Sequence, residues 1–316
     1  MSENIINLGI RLKTIASYVP EGSLLGDIGT DHAYLPIYLV QKKVINMAVG
    51  VEINTGPYKS ALESVKMHSL QDRIEVRHGN GLVPLKRGEV DTLSIAGMGG
   101  FTILEILSTR PDVLAEVKSL VLQPQGGEDK VRRELLTKGW LLQDELLVEE
   151  DGRIYTVMYF VSAQGVREPE ELANDIERER YIDTNTNKNK NKNIVQSEKM
   201  LNRRGLNFSD VENEIRKLEK ELTGRIIEGD EDKNFTSKVL TNEINTFLNR
   251  YVWILGPIII HKKGNLLEAL IEENIISCQR IFREMQKADR EEIKSKAREV
   301  NQETKIWEVM KKWLYQ

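Results

Sequence analysis

In the first half of the chain, apolar residues come in short runs, separated by stretches whose apolar positions recur every three or four residues. The runs are Ser23–Ile28, Met47–Ile53, Arg73–His78, Val90–Ala96 and Ser119–Gln123, and the amphipathic stretches cover residues 34–42, 56–69, 101–109 and 127–138. Alternation of this kind predicts a parallel sheet with helices on both faces. A helix is expected before it over residues 4–18, where Ile5, Leu8, Leu12, Ile15 and Ala16 share a face until Pro20 and Gly22 stop it. The alternation then breaks. Trp140–Glu149 and Arg153–Val161 read as extended, with only Glu150-Asp151-Gly152 between them, so they predict a hairpin that adds one antiparallel strand.

Beyond residue 163 the pattern changes to long helical and polar stretches, which predicts a sheet domain over residues 1–163 and a helical arm over 164–316. Thr184–Asn193 alternates Asn with Thr and Lys and can bury nothing, so residues 184–193 are expected to be a low-complexity linker. Val211, Ile215, Leu218 and Leu222 mark one amphipathic helix. Asn265–Gln316 has neither Gly nor Pro, and Leu267, Ile271, Ile275, Cys278, Phe282 and Met285 step by four and three residues. The stripe continues through Ile293, Ala297, Val300, Trp307, Met310 and Leu314, and predicts a long coiled-coil helix packed on earlier helices of the arm or on a second chain. Tyr251–Ile260, apolar with Gly256-Pro257 at its middle, reads as a turn that docks the arm on the sheet.

Net charge is −4, and the whole deficit falls before residue 160. Global charge does not announce a polyanion binder, so any polyanion must meet a local basic face. The single cysteine, Cys278, excludes an intramolecular disulfide, and four scattered histidines offer no paired ligands, so no metal is expected. No run approaches a membrane span, and Met1-Ser-Glu-Asn lacks the basic-then-apolar order of a leader. A cytoplasmic protein without membrane contact is expected.

The chemistry concentrates where the first run ends. Asp27 closes that run, Gly29 opens a turn, and Asp31 lies inside it. A dinucleotide fold would place three glycines here to bring backbone N–H groups to a pyrophosphate. One glycine and two carboxylates instead repel phosphate and suit a cation. A sulfonium cofactor with an amino-acid tail fits, with its ammonium near Asp27 and Gly29 allowing close backbone approach. Glu52, 23 residues after Gly29 at the end of the next run, is placed to accept hydrogen bonds from both ribose hydroxyls. The competing reading, that Asp27 and Asp31 only cap the following helix, leaves Glu52 out. An α/β, mostly parallel seven-stranded sheet with a terminal antiparallel hairpin is the architecture of class I (Rossmann-like) methyltransferases; here an α-helical coiled-coil domain follows it.

Arg11-Leu12, Asp27-Ile-Gly-Thr-Asp-His-Ala-Tyr-Leu-Pro36, Glu52-Ile-Asn-Thr-Gly-Pro57, Gly79-Asn-Gly-Leu82, Ile95-Ala-Gly-Met-Gly-Gly100, Leu122-Gln-Pro-Gln125 and Glu149-Glu-Asp-Gly-Arg153 together resemble the TrmK family. Its members are bacterial S-adenosyl-L-methionine-dependent methyltransferases that modify N1 of adenine-22 in tRNA. The resemblance is dense over residues 5–160 and looser over the arm. It implies S-adenosyl-L-methionine held by Asp27, Gly29, His32, Glu52, Ile53, Asn80, Gly81, Ala96, Gly97 and Met98. The expected tRNA contacts are Arg11, Gly99, Gln123, Gln125, Arg132 and Arg133, and a monomer is expected. Two positions depart from the family pattern, which favours an acidic residue at Asn80 and Asn at Gln125. Asn80 retains an amide oxygen for the cofactor's adenine amino group.

Adenine N1 carries an in-plane lone pair and attacks a sulfonium methyl without prior deprotonation, so placement and desolvation decide the rate. The ring becomes cationic, and a nearby carboxylate stabilises it; Asp31 is the candidate catalytic residue, with holding the turn as its alternative role. The segment after the fourth run has no amide and no aromatic platform, which disfavours an exocyclic amine target. Gly99 and Gly100 either admit a close ligand or only open the next helix. The target base must leave its stack, which calls for backbone contacts elsewhere; Lys130, Arg203, Arg204, Lys262, Lys263, Lys311 and Lys312 are further basic candidates. The competing functions are a class I methyltransferase for another RNA or a small molecule, and a non-catalytic cofactor-binding coiled-coil scaffold.

Overall fold

The sheet consists of β1 (Leu24–Ile28), β2 (Met47–Glu52), β3 (Ile74–His78), β4 (Thr92–Met98), β5 (Ser119–Pro124), β6 (Leu141–Glu150) and β7 (Arg153–Val161), in the spatial order β3-β2-β1-β4-β5-β7-β6. Strands β1 to β5 are parallel, and β7 runs antiparallel to both β5 and β6, so the hairpin inserts its second strand between β5 and its first. This is the class I methyltransferase fold. It is seen in a computed structural model that describes residues 5–162, 205–229, 250–287 and 290–315. The expected linker at 184–193 and the candidates Arg203 and Arg204 lie outside the described residues.

Strand order runs one way from β1 to β3 and the other way from β4 to β5. Right-handed crossovers therefore carry the helices to opposite faces. Helices α1 (Ile10–Tyr18), α2 (Tyr34–Gln41) and α3 (Thr55–Met67) pack in sequence on one side, while α4 (Gly100–Ser108) packs with α5 (Pro111–Leu114) and α6 (Glu128–Thr137). All six residues of β5 are buried, which is why the central strands read as continuous apolar runs. Helix α1 is shorter than expected, and one helix is added. Helix α1 starts at Ile10 because Gly9 is extended (φ −61°, ψ 164°), and the preceding strap is tied to α2 by the Ile6 N–H donating to Gln41 Oε1 at 2.9 Å. Helix α5 was not anticipated; Pro111 starts it.

Arg132 points into the protein and not toward a bound RNA. Its side chain and that of Glu145 are completely buried, and Nε lies 2.7 Å from Glu145 Oε2, joining α6 to β6. It shares the inward stripe of α6 with Val131, Leu135 and Leu136. The β6 edge is also engaged: Leu142 and Leu206 exchange two backbone hydrogen bonds of 2.9 Å.

The chain divides into two compact units, Met1–Asp210 and Val211–Gln316. The second holds most of α7 (Phe208–Gly229), helical residues 250–255, α8 (Pro257–Lys262), α9 (Asn265–Met285) and α10 (Glu291–Tyr315). The single long helix expected from residue 265 onward is thus two helices folded into an antiparallel hairpin. Lys311 Nζ near the end of α10 lies 3.7 Å from Glu268 and 3.2 Å from Glu272 near the start of α9, and Tyr315 Oη donates to Gly264 O at 3.1 Å. Folding back lets the stripe cover itself: Leu267, Ile271 and Cys278 are buried, as are Ala297, Trp307, Met310 and Leu314. Gly256 (φ +99°) breaks the 251–260 run, Pro257 begins α8, and the Tyr251 ring meets Trp307 edge-on at 4.4 Å. Among the described residues no helix is long and apolar enough to cross a membrane.

Arg132→Met strands the buried Glu145 carboxylate, and we expect it to cost about 3–5 kcal/mol in urea unfolding. Pairing it with Glu145→Leu should recover most of that loss, because the uncompensated charge is then gone.

Candidate functional site

The carboxyl ends of β1 and β4 meet where the strand order reverses, the place where open α/β sheets bind ligands. Asp27 sits at this edge, 6% exposed, accepting a 2.6 Å hydrogen bond from Thr30 Oγ1. Burial pushes its carboxyl up to about 6 despite that bond, and the nearby Glu52 adds to the rise. Thr30 fits because residue 50 on β2 is glycine: a Cβ there would lie 2.9 Å from the Thr30 methyl.

Glu52 is also buried and binds two loops at once. Its Oε1 accepts from the Asn54 backbone N–H (2.8 Å) and Nδ2 (3.1 Å), and its Oε2 accepts from the Asp31 N–H at 3.3 Å. Between these anchors Gly29, Asp31 and Ala33 all have positive φ, at +74°, +51° and +58°. Left-handed geometry at a non-glycine residue costs about 1–2 kcal/mol, so the turn stores strain that Glu52 and the Gly29 and Thr30 bonds to Val51 O hold in place. The result presents the Asp31 carboxylate to solvent, 3.8 Å from His32 Nε2, and the His32 ring stacks on Tyr34 at 5.1 Å. Neither Asp27 nor Asp31 caps α2, whose N-cap is Ala33 with no side-chain cap.

At the end of β4, Ala96 pairs with Gln123 and Met98 with Pro124, leaving Gly97 as a bulge with φ +77°. Gly100 has a packing duty: its N–H donates to Gly126 O at 2.8 Å, and a Cβ would come within 2.6 Å of Gly127 O. A Cβ at Gly99 would meet Thr102 Oγ1 at 4.0 Å, an ordinary contact. The room beside Gly29, which the sequence assigned to a passing cofactor, is taken by the Met98 methyl. Beyond β2 and β3, Ile53 and Asn80 are exposed, and the buried Gly81 (φ +55°) packs against Ile106.

Arg11 is held rather than free. Its Nη1 donates to Gln123 Oε1 at 2.9 Å, its Nε pairs with Glu150 Oε2 at 3.2 Å, and its guanidinium lies 5.5 Å from the Tyr155 ring centre. Gln123 is fully buried and also donates to Pro124 O, so it positions Arg11 and does not reach the surface where a substrate contact was expected. Gln125 is exposed, with its N–H bonded to Met98 O at 2.8 Å. Arg133 is half-buried and already engaged, and Lys130 pairs with Asp129. Thr30, Asn54, Glu150 and Tyr155 were not singled out as site residues. Three of them lie within motifs that were noticed, while Tyr155 carried no sequence signal.

A family model described as a methyltransferase domain matches residues 8–158. The tRNA (adenine(22)-N(1))-methyltransferase of Bacillus subtilis is 42% identical over 155 residues, 49% of this chain and 65% of that protein. A Mycoplasma pneumoniae protein provisionally named a tRNA methyltransferase is 35% identical over 150 residues, 47% of this chain and 68% of its own length. The chain thus spans about two thirds of these curated relatives, and 65% of the first. The crystal structure of the B. subtilis M1A22 tRNA methyltransferase TrmK superposes with a TM-score of 0.62 at 26% identity, over 96% of this chain and 99% of that one. A Streptococcus pneumoniae protein, described as a candidate tRNA (m1A22) methyltransferase and solved in complex with S-adenosyl-L-methionine, gives 0.50 at 28% identity, over 77% and 100%. The chain belongs to the TrmK family of methyltransferases.

Proposed function

We propose that this chain transfers the methyl group of S-adenosyl-L-methionine to N1 of adenine-22 in tRNA. The observation that carries the reading is the buried Asp27 carboxylate: among the described residues no cation stands beside it, and one arriving from solution would relieve its burial. The donor set fits that cofactor. Asp27 faces its ammonium, Glu52 has acceptor capacity left for ribose hydroxyls, and Asn80 offers an amide to the adenine, with Ile53, Gly81, Ala96, Gly97, Met98 and His32 around them. When bound, the cofactor supplies the electrophilic methyl group.

The chain's own residues then place and stabilise. Adenine N1 needs no base, so the role left to the Asp31 carboxylate is to stabilise the ring as it becomes cationic. Arg11, Gly99, Gln125 and Arg133 are the remaining tRNA contacts in this reading. The sheet domain, residues 1–163, binds cofactor and base; the arm, 164–316, holds the RNA. The protein acts in the cytoplasm as a monomer without metal.

Labelled methyl should pass from S-adenosyl-L-methionine to an unmodified tRNA with adenine at position 22 and not to the same tRNA with guanine there. Label on neither, with cofactor binding intact, would favour another substrate or the scaffold reading. Glu52→Gln should weaken cofactor binding about tenfold to a hundredfold by calorimetry, from the loss of charge-assisted hydrogen bonds. Asp31→Asn should instead lower the methylation rate by a similar factor with cofactor affinity nearly unchanged; equal binding losses in both would defeat that division of roles. The folded value for Asp27 of about 6 exceeds its ordinary 3.8, so its contribution to stability is fullest below pH 3.8 and is lost as pH rises through about 6. Asp27→Asn should therefore gain up to about 3 kcal/mol of stability at pH 8 and little at pH 4 in urea unfolding, while losing cofactor affinity.

A further inference from the structure

No aromatic residue stands between the end of β4 and Gly100, yet one follows directly. Phe101 lies in the first turn of α4 and is 72% exposed, while Ile103, Ile106 and Leu107 fill the buried face of that helix. Phe is ordinarily a core residue, and this ring contributes little to the core. Its position is nonetheless fixed. The Gly100 N–H is bonded to Gly126 O at 2.8 Å, and Gly100 packs too closely on Gly127 for a side chain, so Phe101 is anchored where β4 and β5 end.

Other exposed apolar groups at these strand ends offer less. Ile53 and Val83 are aliphatic and lie beyond β2 and β3. Tyr34 is aromatic and 42% exposed, but the His32 ring stacks on it at 5.1 Å with an interplanar angle of 16°. Phe101 is thus the large exposed aromatic at the β4 end of the candidate site, on the side away from Ile53 and Asn80.

We propose that Phe101 stacks on the target adenine after it leaves the tRNA helix, fixing the ring plane so that N1 stays in line with the methyl donor. This deepens the function proposed above and rests on it. An extruded base loses its stacking neighbours, and an aromatic side chain replaces them whichever base it is. The methylated adenine is cationic, and an aromatic face attracts a cation as well.

The test uses the full chain, S-adenosyl-L-methionine and tRNA carrying adenine-22, comparing Phe101→Ala, Phe101→Leu and Phe101→Trp. Expected are losses of about tenfold to a hundredfold in kcat/KM for Ala and Leu, a Trp variant within threefold of the parent, and cofactor affinity unchanged in all three. In a tRNA with 2-aminopurine at position 22, the parent and Trp variants should quench the extruded base, and the Ala and Leu variants should leave it bright. Full activity in Phe101→Ala, activity restored by Leu, or matching losses in all three together with weaker cofactor binding would each overturn the proposal. If the parent protein itself leaves adenine-22 unmethylated while binding cofactor, the functional reading fails first and the stacking role falls with it.

Discussion

Two carboxylates buried at the ends of neighbouring parallel strands set the terms for everything around them. An ionised side chain out of water is costly unless hydrogen bonds or an opposite charge compensate it. Glu52 is compensated by backbone: the N–H groups of Asp31 and Asn54 converge on it from two different loops. Asp27 is compensated only in part, by the Thr30 hydroxyl, and its raised pKa records the remainder. The β1–α2 turn cannot relax to ordinary geometry without withdrawing the Asp31 N–H from Glu52. Three left-handed residues are thereby tolerated in a five-residue stretch. The strain and the exposed Asp31 carboxylate are two results of one arrangement.

The opposite wall of the site is held by close backbone approach. The bulge at Gly97 returns Met98 to the ladder, and Met98 and Gln125 then join the β4 and β5 loops through one backbone bond of 2.8 Å. Gly100 on Gly126 and Gly127 forms the second such link. Both loops follow parallel strands, so neither could be fixed by a tight hairpin; direct contact between glycine backbones does that work instead. The Met98 thioether spans from this wall to Gly29 on the other, so the two sides are in contact in the structure described.

Much of this was legible in the sequence, for identifiable reasons. Buried parallel strands must be apolar throughout, so their runs stand out, and Asp27, Gly29 and Glu52 announce themselves by falling where those runs stop. The misreadings occurred where a local pattern is ambiguous. Ile5 and Leu8 fit a helix face, but only Leu8 is buried, by an extended strap that ends at Gly9. Residues 286–290 contain no Gly or Pro, so the break between α9 and α10 comes from the gain in covering the apolar stripe, a tertiary effect that no local signal records. The expected tRNA contact at Arg132 fails because the residue falls on the same stripe as Leu135 and Leu136, and its partner Glu145 lies on a strand too distant in sequence to suggest pairing.

The formal charge of the sheet region also takes on a different meaning once the side chains are placed. Residues before 160 carry the entire acidic excess of the chain, which argues against a polyanion on that surface. Part of that excess never reaches solvent. Asp27 and Glu52 are buried at the strand ends, whereas Glu145 and Glu150 are balanced by Arg132 and Arg11 and add nothing to it. The field felt outside depends on exposed charge and falls off within about 10 Å at moderate salt, so the two buried carboxylates repel an approaching phosphate less than the count implies. The same carboxylates retain their full effect inside the cleft, where the dielectric is low and a cation is wanted. One set of acidic residues can therefore favour a cationic cofactor without barring RNA from the surface above it.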